Sequence, residues 1–371
     1  MLRSTYAVIH LPALLNNIRL AKRRLKPDTK FLAVIKANAY GHGIVEVGKY
    51  LERSRLVDML AVAVPEEGFR LRNAGVTLPI LILGVTDPDH MGAVVAKDLT
   101  PAVFTPAQVR LLNRFAKTSG KTATAHVKLD TGMHRIGVTD DAMLDALLDA
   151  FDECTNVKMT GVFTHFAKSE SDPDFTHLQA QRFDAFVARI RARGYDPILH
   201  ASNSAGTLDY PDLQYDMVRF GIALYGCHPD ARRTPDSGLT PVMSLITHIS
   251  NLKTVPAGEG ISYGLRYITS HPTKIATLPI GYGDGYKRCL TGKADVLIGG
   301  YRCPQVGTIC MDQMMVDVSE VPNVAVGDEV VLIGRQGNQK ITADELADKA
   351  DTISYEILLS ISDRVPRVYE E

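Results

Sequence analysis

Apolar residues in the first 226 positions fall into eight short runs rich in β-branched side chains, and stretches with helical spacing separate these runs. The helical stretches include Pro12–Leu25, Ile44–Arg53, Pro106–Thr118 and Phe175–Arg193. This alternation is typical of βα units on a parallel sheet. Eight units favour an α/β fold of the (β/α)8 TIM-barrel type, although an open doubly wound sheet can also carry eight strands. The predicted strands cover 31–35, 59–64, 79–84, 101–104, 124–130, 158–166, 198–202 and 217–225.

The rhythm changes after about residue 236. A Pro/Gly/Ser-rich loop at 234–241 precedes closely spaced strands with few helical intervals. Thr342 and Glu345 have capping-box spacing and predict a helix over 342–350. We therefore expect a barrel domain at 1–240 and a mainly β C-terminal domain at 241–371. The strands predicted in the second domain include 242–254, 274–280, 294–298, 314–318 and 329–333.

Composition narrows the classes of function. The 371 residues carry 41 Lys+Arg against 42 Asp+Glu, a net charge of −1, which gives no support for nucleic acid or an anionic membrane as a partner. The five cysteines are an odd number without a CxxC motif, so we expect neither a disulfide framework nor a metal site. The N-terminus lacks a signal-peptide pattern and no apolar run is long enough to cross a bilayer. These features predict a cytoplasmic protein.

Polar residues cluster where the predicted strands end, which in a βα barrel is the catalytic face. Lys36 follows the first strand, and it suits a Schiff-base amine, a phosphate ligand or a solvated loop lysine. The remaining candidates at these strand ends are Lys128, Asp130, Arg135, His165, His200, Ser202, Asn203, Ser204 and Arg219.

The ends of the last two strands are the recurrent phosphate site of barrel enzymes. Asn203 and Ser204 suit the start of a short helix, and Gly221 lets backbone N–H groups approach a ligand closely. A phosphate site with Lys36 across the barrel mouth fits a Schiff-base aldolase or an enzyme of pyridoxal 5′-phosphate (PLP). An arginine at 219 would keep a PLP ring nitrogen unprotonated, whereas an isolated arginine there is more often part of a structural ion pair.

Nine motifs together resemble alanine racemases, in order and spacing over essentially the whole chain. Each motif is weakly specific alone, and the series of nine is strongly specific. The resemblance implies a PLP-dependent homodimer with a barrel domain and a β-rich C-terminal domain. The motifs are VIKANAYGHG, VKLDTGMHRIG, THFA, HASNSAG, VRFGIALYG, GISYG, GYGDGY, GTICMDQMMVDV and YEILLSISDRVPRVY.

The resemblance also implies roles for individual residues. Lys36 matches the lysine that holds PLP covalently and removes the α-proton of D-alanine, and Tyr263 matches the base for L-alanine, supplied by the partner subunit. Arg135 matches the residue that orients the substrate carboxylate, Met311 a substrate contact from the other subunit, and Lys128 a position that is often N-carboxylated. The other cofactor contacts implied are Tyr40, His165, Ser204, Arg219, Gly221, Ile222 and Tyr355, with His200 holding Arg219.

We therefore predict an alanine racemase that supplies D-alanine for peptidoglycan synthesis. The alternatives are a racemase with serine or broader preference, a PLP-dependent decarboxylase of similar layout, and, from a different class, a non-catalytic PLP carrier. Arg219 disfavours the decarboxylase, because decarboxylases of this layout resemble enzymes in which a carboxylate pairs with the PLP ring nitrogen. The carrier is disfavoured because single-domain carriers lack a β domain that could provide Tyr263.

Overall fold

The computed structural model describes residues 3–234 and 237–371, so two positions of the predicted loop at 234–241 lie outside the described residues. A first strand, β1 (Tyr6–His10), and a helix, α1 (Leu11–Lys22), precede eight strands that pair in parallel. All eight predicted runs of the first part therefore form strands. These are β2 (Lys30–Val34), β3 (Met59–Val62), β4 (Ile80–Ile82), β5 (Thr100–Val103), β6 (Ala123–Lys128), β7 (Val157–Phe163), β8 (Ile198–His200) and β9 (Met217–Phe220).

The eight strands close into a barrel. The ladder runs β8-β7-β6-β5-β4-β3-β2-β9. Backbone hydrogen bonds from Asp216 N–H to the Leu199 carbonyl (3.0 Å) and from Arg219 N–H to the Ser202 carbonyl (2.9 Å) join its two ends. The predicted (β/α)8 barrel is confirmed.

Helices cover the outside of the barrel. α1 packs on the turn after β9, where the buried Asn17 amide donates to the carbonyls of Leu224 (3.0 Å) and Thr240 (2.8 Å). This contact places α1 where the eighth helix of the barrel belongs. The helices that follow strands β2 to β8 are α2 (Ile44–Ser54), α3 (Pro65–Asn73), α4 (Met91–Ala96), α5 (Pro106–Thr118), α6 (Asp141–Glu153), α7 (Pro173–Ala192) and α8 (Ser204–Asp209).

One predicted strand is shorter than expected. The apolar run 217–225 leaves the sheet after Phe220, and Ile222–Tyr225 form a turn of 3-10 helix. A continuous apolar run does not distinguish a buried strand from a buried helical turn. The other short 3-10 turns are Pro88–His90, Pro211–Leu213, Ala231–Arg233, Tyr263–Leu265, Tyr282–Asp284 and Arg288–Leu290.

The second part of the chain is mainly β, as predicted, and has two short helices before its last strand. Its strands are β10 (Met243–His248), β11 (Asn251–Val255), β12 (Gly260–Ile261), β13 (Tyr267–Ile268), β14 (Thr273–Leu278), β15 (Asp295–Ile298), β16 (Tyr301–Val306), β17 (Met314–Asp317), β18 (Glu329–Gln336), β19 (Gln339–Ile341) and β20 (Arg367–Glu370). The helices are α9 (Ala343–Lys349), which lies within the predicted 342–350, and α10 (Ser354–Ser360). Thr342 Oγ1 accepts from Glu345 N–H (3.0 Å), but the Glu345 carboxylate turns to Arg302 and leaves half a capping box.

Two details of this sheet differ from the sequence expectations. The predicted strand 242–254 is two strands, because the chain turns at Ile249 and Ser250 so that β10 pairs with β18 and β11 with β14. Strand β1, assigned by sequence to the barrel domain 1–240, pairs with β10 and β20 instead. The strand pattern alone does not specify a partner more than 200 residues away. The division of the chain at residue 240 stays a prediction.

The two parts share one apolar core. A single cluster of buried side chains runs from Leu32 and Val218 of the barrel to Val296 and Leu332 of the β sheet. A second cluster fills the barrel wall around β5 to β7. Among residues 3–234 and 237–371, no helix combines the length and the apolar character needed to cross a bilayer.

Candidate active site

The carboxyl ends of the barrel strands bring together the candidates that the sequence places there. Lys36 follows β2, Lys128 ends β6, His165 follows β7, and Arg219 lies in β9. Their charges act on one another: Lys36, Lys128 and Arg219 all lower the pKa of His165, after burial, which is the larger cause. The barrel mouth is therefore one electrostatically connected site.

Arg219 is the centre of this site. Its side chain is 3% exposed, and its two terminal nitrogens donate to the carbonyl oxygens of Thr164 (2.8 Å), His200 (2.9 Å) and Ala201 (2.8 Å). Burial, followed by the charge of Arg135, lowers the pKa of the guanidinium. These bonds hold both terminal nitrogens, whereas Nε–H has no hydrogen-bond partner among the described residues.

Two histidines complete the contacts of Arg219. Nη2 lies 3.1 Å from Nδ1 of His165, and Nη1 lies 3.3 Å from Nδ1 of His200. An arginine has donors only, so both Nδ1 atoms accept and both rings carry their proton on Nε2. Burial and then neighbouring charges, including that of Arg219, lower the pKa of both rings well below the ordinary value, which keeps them neutral.

A third histidine extends the chain away from the mouth. Nε2 of His200 lies 3.0 Å from Nδ1 of the fully buried His126. Since His200 has its proton on Nε2, it donates and His126 accepts. The ring of Phe163 stacks on His200 with an interplanar angle of 8°. The buried rings of His200, His126 and Phe163 therefore support one another and hold Arg219 in place.

Lys36 begins an unusual turn. Residues Ala37, Asn38, Ala39 and Tyr40 all have φ between 52° and 54°, so Lys36–Tyr40 forms one left-handed turn immediately after β2. Burial and the charge of Arg135 lower the pKa of the Lys36 amine, and the charge of Glu67 raises it. A partly buried amine with a lowered pKa is suited to act as a nucleophile or a base near neutrality.

Lys128 is 3% exposed and ends strand β6. Its Nζ donates to the Leu129 carbonyl (2.5 Å) and lies 5.5 Å from the centre of the Phe163 ring. Burial, followed by the charge of Arg219, lowers the pKa of this amine to about 7. This shift favours the uncharged form of the Lys128 amine.

Arg135 lies in a loop organised by Asp130. One carboxylate oxygen of Asp130 accepts from the N–H groups of Gly132, Met133 and His134, and the other accepts from Arg135 N–H at 2.9 Å. Burial raises the pKa of Asp130, but the N–H donors together lower it by more, so the net shift is downward. The fixed loop keeps the guanidinium of Arg135 close enough to influence Lys36 and Lys128.

Beside the Tyr40 hydroxyl, the chain forms a small polar cradle after β8 and β9. Asn203 caps α8 by accepting from Gly206 N–H (2.9 Å), and Ser204 Oγ accepts from Gly221 N–H (2.9 Å). A Cβ at Gly221 would lie 3.0 Å from the Tyr40 hydroxyl, so glycine keeps this space open. Tyr355 packs beside Tyr40, with ring centres 6.0 Å apart, and Ile222 begins the turn after Gly221.

Tyr263 and Met311 do not belong to this cluster within one chain. Tyr263 lies on the β12–β13 hairpin with 72% of the residue exposed, and Met311 is 52% exposed. Thr308 Oγ1 donates to the Tyr263 carbonyl (2.8 Å), but no hydrogen bond joins the Tyr263 hydroxyl to the barrel mouth among the described residues. Tyr282, Leu265 and Ile268 are also exposed, and together with Tyr263 and Met311 they give the β domain an exposed apolar surface.

Sequence reasoning missed Glu67, His126 and Gly161. Glu67 lies in the first turn of the helix after β3, and His126 lies within β6. The available signal for both was that each lies close to the carboxyl end of a predicted strand. The sequence around Gly161 does not indicate its role, because that role is to leave room for the His126 ring, which packs against it in the folded chain. Within the described ranges, no group of three or more His, Cys, Asp or Glu residues could hold a metal ion.

Comparison with known proteins gives matches over the whole chain. The family model for the alanine racemase N-terminal domain matches residues 9–229, and the model for the alanine racemase C-terminal domain matches 242–369. An alanine racemase of Halothermothrix orenii is 44% identical over 370 residues, covering 99% of this chain and 97% of that protein. An alanine racemase of Symbiobacterium thermophilum is 45% identical with the same coverage.

Solved structures agree. An alanine racemase from Clostridium difficile 630 superposes with a TM-score of 0.94 at 41% identity, covering 100% of this chain and 97% of that one. A Bacillus anthracis alanine racemase solved with bound L-Ala-P has a TM-score of 0.93 at 36% identity, covering 100% of this chain and 96% of that one.

Proposed function

This chain belongs to the alanine racemase family, and we propose that it interconverts L-alanine and D-alanine with PLP, supplying D-alanine for peptidoglycan synthesis. The observation that carries the proposal is the placement of Arg219: a buried guanidinium with its terminal nitrogens occupied and Nε–H unpartnered among the described residues, in the same mouth as a lysine of lowered pKa.

The residues present fit PLP. Lys36 would hold the cofactor covalently, and Nε–H of Arg219 would donate to the ring nitrogen. The cradle of Tyr40, Ser204 and Gly221 suits the phosphate, because hydroxyl groups and backbone N–H groups converge there and no Cβ intrudes at 221. Ile222 would add a backbone N–H and Tyr355 a further hydroxyl.

PLP, when bound, withdraws electrons from the substrate Cα and so makes its proton removable. Arg219 sets the limit of this effect, since a guanidinium only donates and leaves the ring nitrogen unprotonated. A weaker electron sink restricts side reactions and suits simple proton exchange at Cα. Arg135 would orient the substrate carboxylate, as its loop is held in place by Asp130.

Inversion at Cα needs one proton-transfer group on each face. We assign the base for D-alanine to the Lys36 amine and the base for L-alanine to the Tyr263 hydroxyl. His165 would hold that hydroxyl, since Arg219 occupies its Nδ1 and leaves its Nε2–H as donor.

A homodimer is part of the proposal. Tyr263 and Met311 lie on an exposed apolar surface of the β domain, and this arrangement suits insertion into the barrel mouth of a second copy. Each site would then combine Lys36 of one subunit with Tyr263 and the backbone of Met311 from the other. We also propose a cytoplasmic location, which the five free cysteines support.

The test is a coupled assay of D-alanine formation from L-alanine, with L-serine as the competing substrate. We expect turnover of alanine to exceed that of serine by a limited factor, because one added hydroxyl changes the discrimination by only about 1–3 kcal/mol. Purified protein should be yellow, and Lys36→Ala should abolish both the absorbance of PLP linked to the lysine and the activity. Lys30→Ala, an exposed lysine at the opposite end of β2, is the matched control and should change neither. Persistence of the absorbance of covalently linked PLP in K36A, or no D-alanine from the wild type, contradicts the proposal.

A further inference from the structure

The left-handed turn Lys36–Tyr40 needs an explanation. Ala37, Asn38, Ala39 and Tyr40 adopt consecutive positive φ angles of 52° to 54°, and none of them is glycine. This conformation brings Cβ too close to the following carbonyl, so residues other than glycine adopt it rarely and singly. A run of four persists only where surrounding contacts hold it.

Glu67 provides such contacts. One oxygen of its carboxylate accepts from Ala37 N–H (2.5 Å) and lies 3.4 Å from Asn38 N, and the other accepts from Ala63 N–H (2.8 Å). Successive N–H groups of a turn that converge on one oxygen form a small anion site, here occupied by a side chain. Glu67 itself is fixed, because it lies in the first turn of helix α3.

We propose that Glu67 is the positioning residue for Lys36: its carboxylate holds the left-handed turn that presents the Lys36 amine and the Tyr40 hydroxyl to the barrel mouth. This inference rests on the proposed function, since it concerns how the cofactor-binding lysine is placed. The distal end of the turn has its own support, because Asn38 Oδ1 accepts from Ile44 N–H (3.0 Å). Glu67 therefore acts mainly at the Lys36 end.

The turn connects the two ends of the cofactor site. Lys36 is its first residue, and Tyr40, its last, places its hydroxyl beside Gly221 and Ser204 of the phosphate cradle. A shift of the turn would move both groups together. Loss of Glu67 should consequently weaken cofactor binding and impair the reaction, although Glu67 contacts neither reacting atom.

The charge of Glu67 gives a second, independent readout. The charged and titratable groups that act on the Lys36 amine are Arg135, which lowers its pKa, and Glu67, which raises it; His165 shares the same cluster. Removing the negative charge of Glu67 lowers the pKa of Lys36. The pH midpoint at which the amine of the apoprotein captures PLP must therefore move to lower pH.

The experiment compares Glu67→Gln with Glu66→Gln. Glutamine keeps the shape of the side chain, but its NH2 group replaces one carboxylate oxygen. That NH2 group then faces the N–H groups of Ala37 and Asn38, or the N–H group of Ala63, and cannot accept from them. Glu66 is the neighbouring residue and is exposed, with a carboxylate oxygen 3.4 Å from Nε2 of His90, and it is the matched control. We expect E67Q to weaken PLP binding by about tenfold or more and to lower kcat/KM by at least a similar factor, with the pH midpoint lowered. E66Q should stay within about twofold of the wild type in all three.

A rescue separates positioning from general damage. Ala37→Gly relieves the left-handed conformation without restoring the carboxylate, so the double variant A37G/E67Q should recover part of the lost PLP affinity while its pH midpoint stays low. If E67Q does not fold, as judged by circular dichroism, E67D replaces it; the shorter carboxylate keeps the charge and loses the reach, so affinity should fall while the midpoint changes little.

The outcomes are distinct. A wild type that neither binds PLP nor racemises alanine overturns the proposed function. A wild type that does both, with E67Q indistinguishable from E66Q in PLP affinity and pH midpoint, overturns only the role of Glu67. In E67Q, where the charge is removed, lost affinity with an unmoved midpoint and no rescue by A37G also contradicts positioning, because it is the result expected of simple structural damage.

Discussion

Nη2 of Arg219 lies 3.1 Å from Nδ1 of His165, and this contact fixes the tautomer of the histidine. An arginine cannot accept, so His165 must present Nε2–H on its other side. The ring can then donate to a phenolate or a hydroxyl that reaches the mouth from outside the chain. One arginine thus serves the proposed ring-nitrogen contact and orients the proposed partner of Tyr263.

Replacing Arg219 with lysine tests this double role. Lysine keeps a charge, but a single ammonium does not reach three carbonyls, two histidine rings and the mouth at once. We expect kcat/KM to fall about 100-fold or more, and the unfolding free energy to fall by about 1–3 kcal/mol as buried carbonyls lose donors. Steady-state kinetics and urea unfolding measure the two effects. Arg189→Lys, at an exposed ion pair with Asp145, is the control and should change neither appreciably; full activity in R219K would refute the role of the guanidinium.

Tyrosine 263 should act on one enantiomer. In Tyr263→Phe, deuterium exchange at Cα should be lost preferentially from L-alanine and retained in part from D-alanine, because Lys36 is unaltered. NMR of the recovered substrate measures this. Tyr301→Phe, another exposed tyrosine of the β domain, should exchange both enantiomers normally. Equal losses from both enantiomers in Y263F would reject the assignment of faces.

The shared site of the proposed dimer has its own test. Mixed Lys36→Ala and Tyr263→Phe proteins should regain activity, because one site of each hybrid dimer has both bases intact. Subunit exchange is verified by mass-tagging one variant. Exchange without any recovery would mean that each chain assembles its site alone.

Gly161 lies against the His126 ring, and a Cβ there would be 2.5 Å from two atoms of that ring. Gly161→Ala should displace His126 from His200 and lower the unfolding free energy by about 1–3 kcal/mol. Denaturant unfolding measures the loss. The double variant with His126→Ala removes the clash, so the two losses should not add; strict additivity would show that the contact is not the cause.

Asp130 should make stability depend on pH. Its pKa is depressed in the folded protein, so its contribution is present above the unfolded value near 3.9 and is lost as the pH falls through the folded value. Asp130→Asn should destabilise the protein by about 1–3 kcal/mol at neutral pH, and the difference from wild type should shrink below about pH 4. The KM for alanine should rise as well, since Arg135 loses its fixed loop. A pH-independent difference would assign the loss to another cause.

Sequence determined the periodicities. Eight apolar runs of strand length, separated by helical spacing, were enough to predict the barrel, because period and run length are local properties. They also located Lys36, Lys128, His165, Ser204 and Arg219 near strand ends, where barrel sites form. The same local signals did not separate β10 from β11, and they did not show that strand β9 ends at Phe220.

Tertiary structure decided which distant groups meet. The pairing of β1 with β20, the approach of His126 to His200 across Gly161, and the reach of Glu67 to the turn after Lys36 each join residues whose local sequence carries no mark of the partner. The left-handed turn itself is unfavourable for Ala37 and Tyr40 and exists because contacts from elsewhere outweigh the local preference. Local pattern therefore specified the elements and the types of reactive group, while packing between distant segments set the tautomers, the pKa shifts and the placement of the lysine.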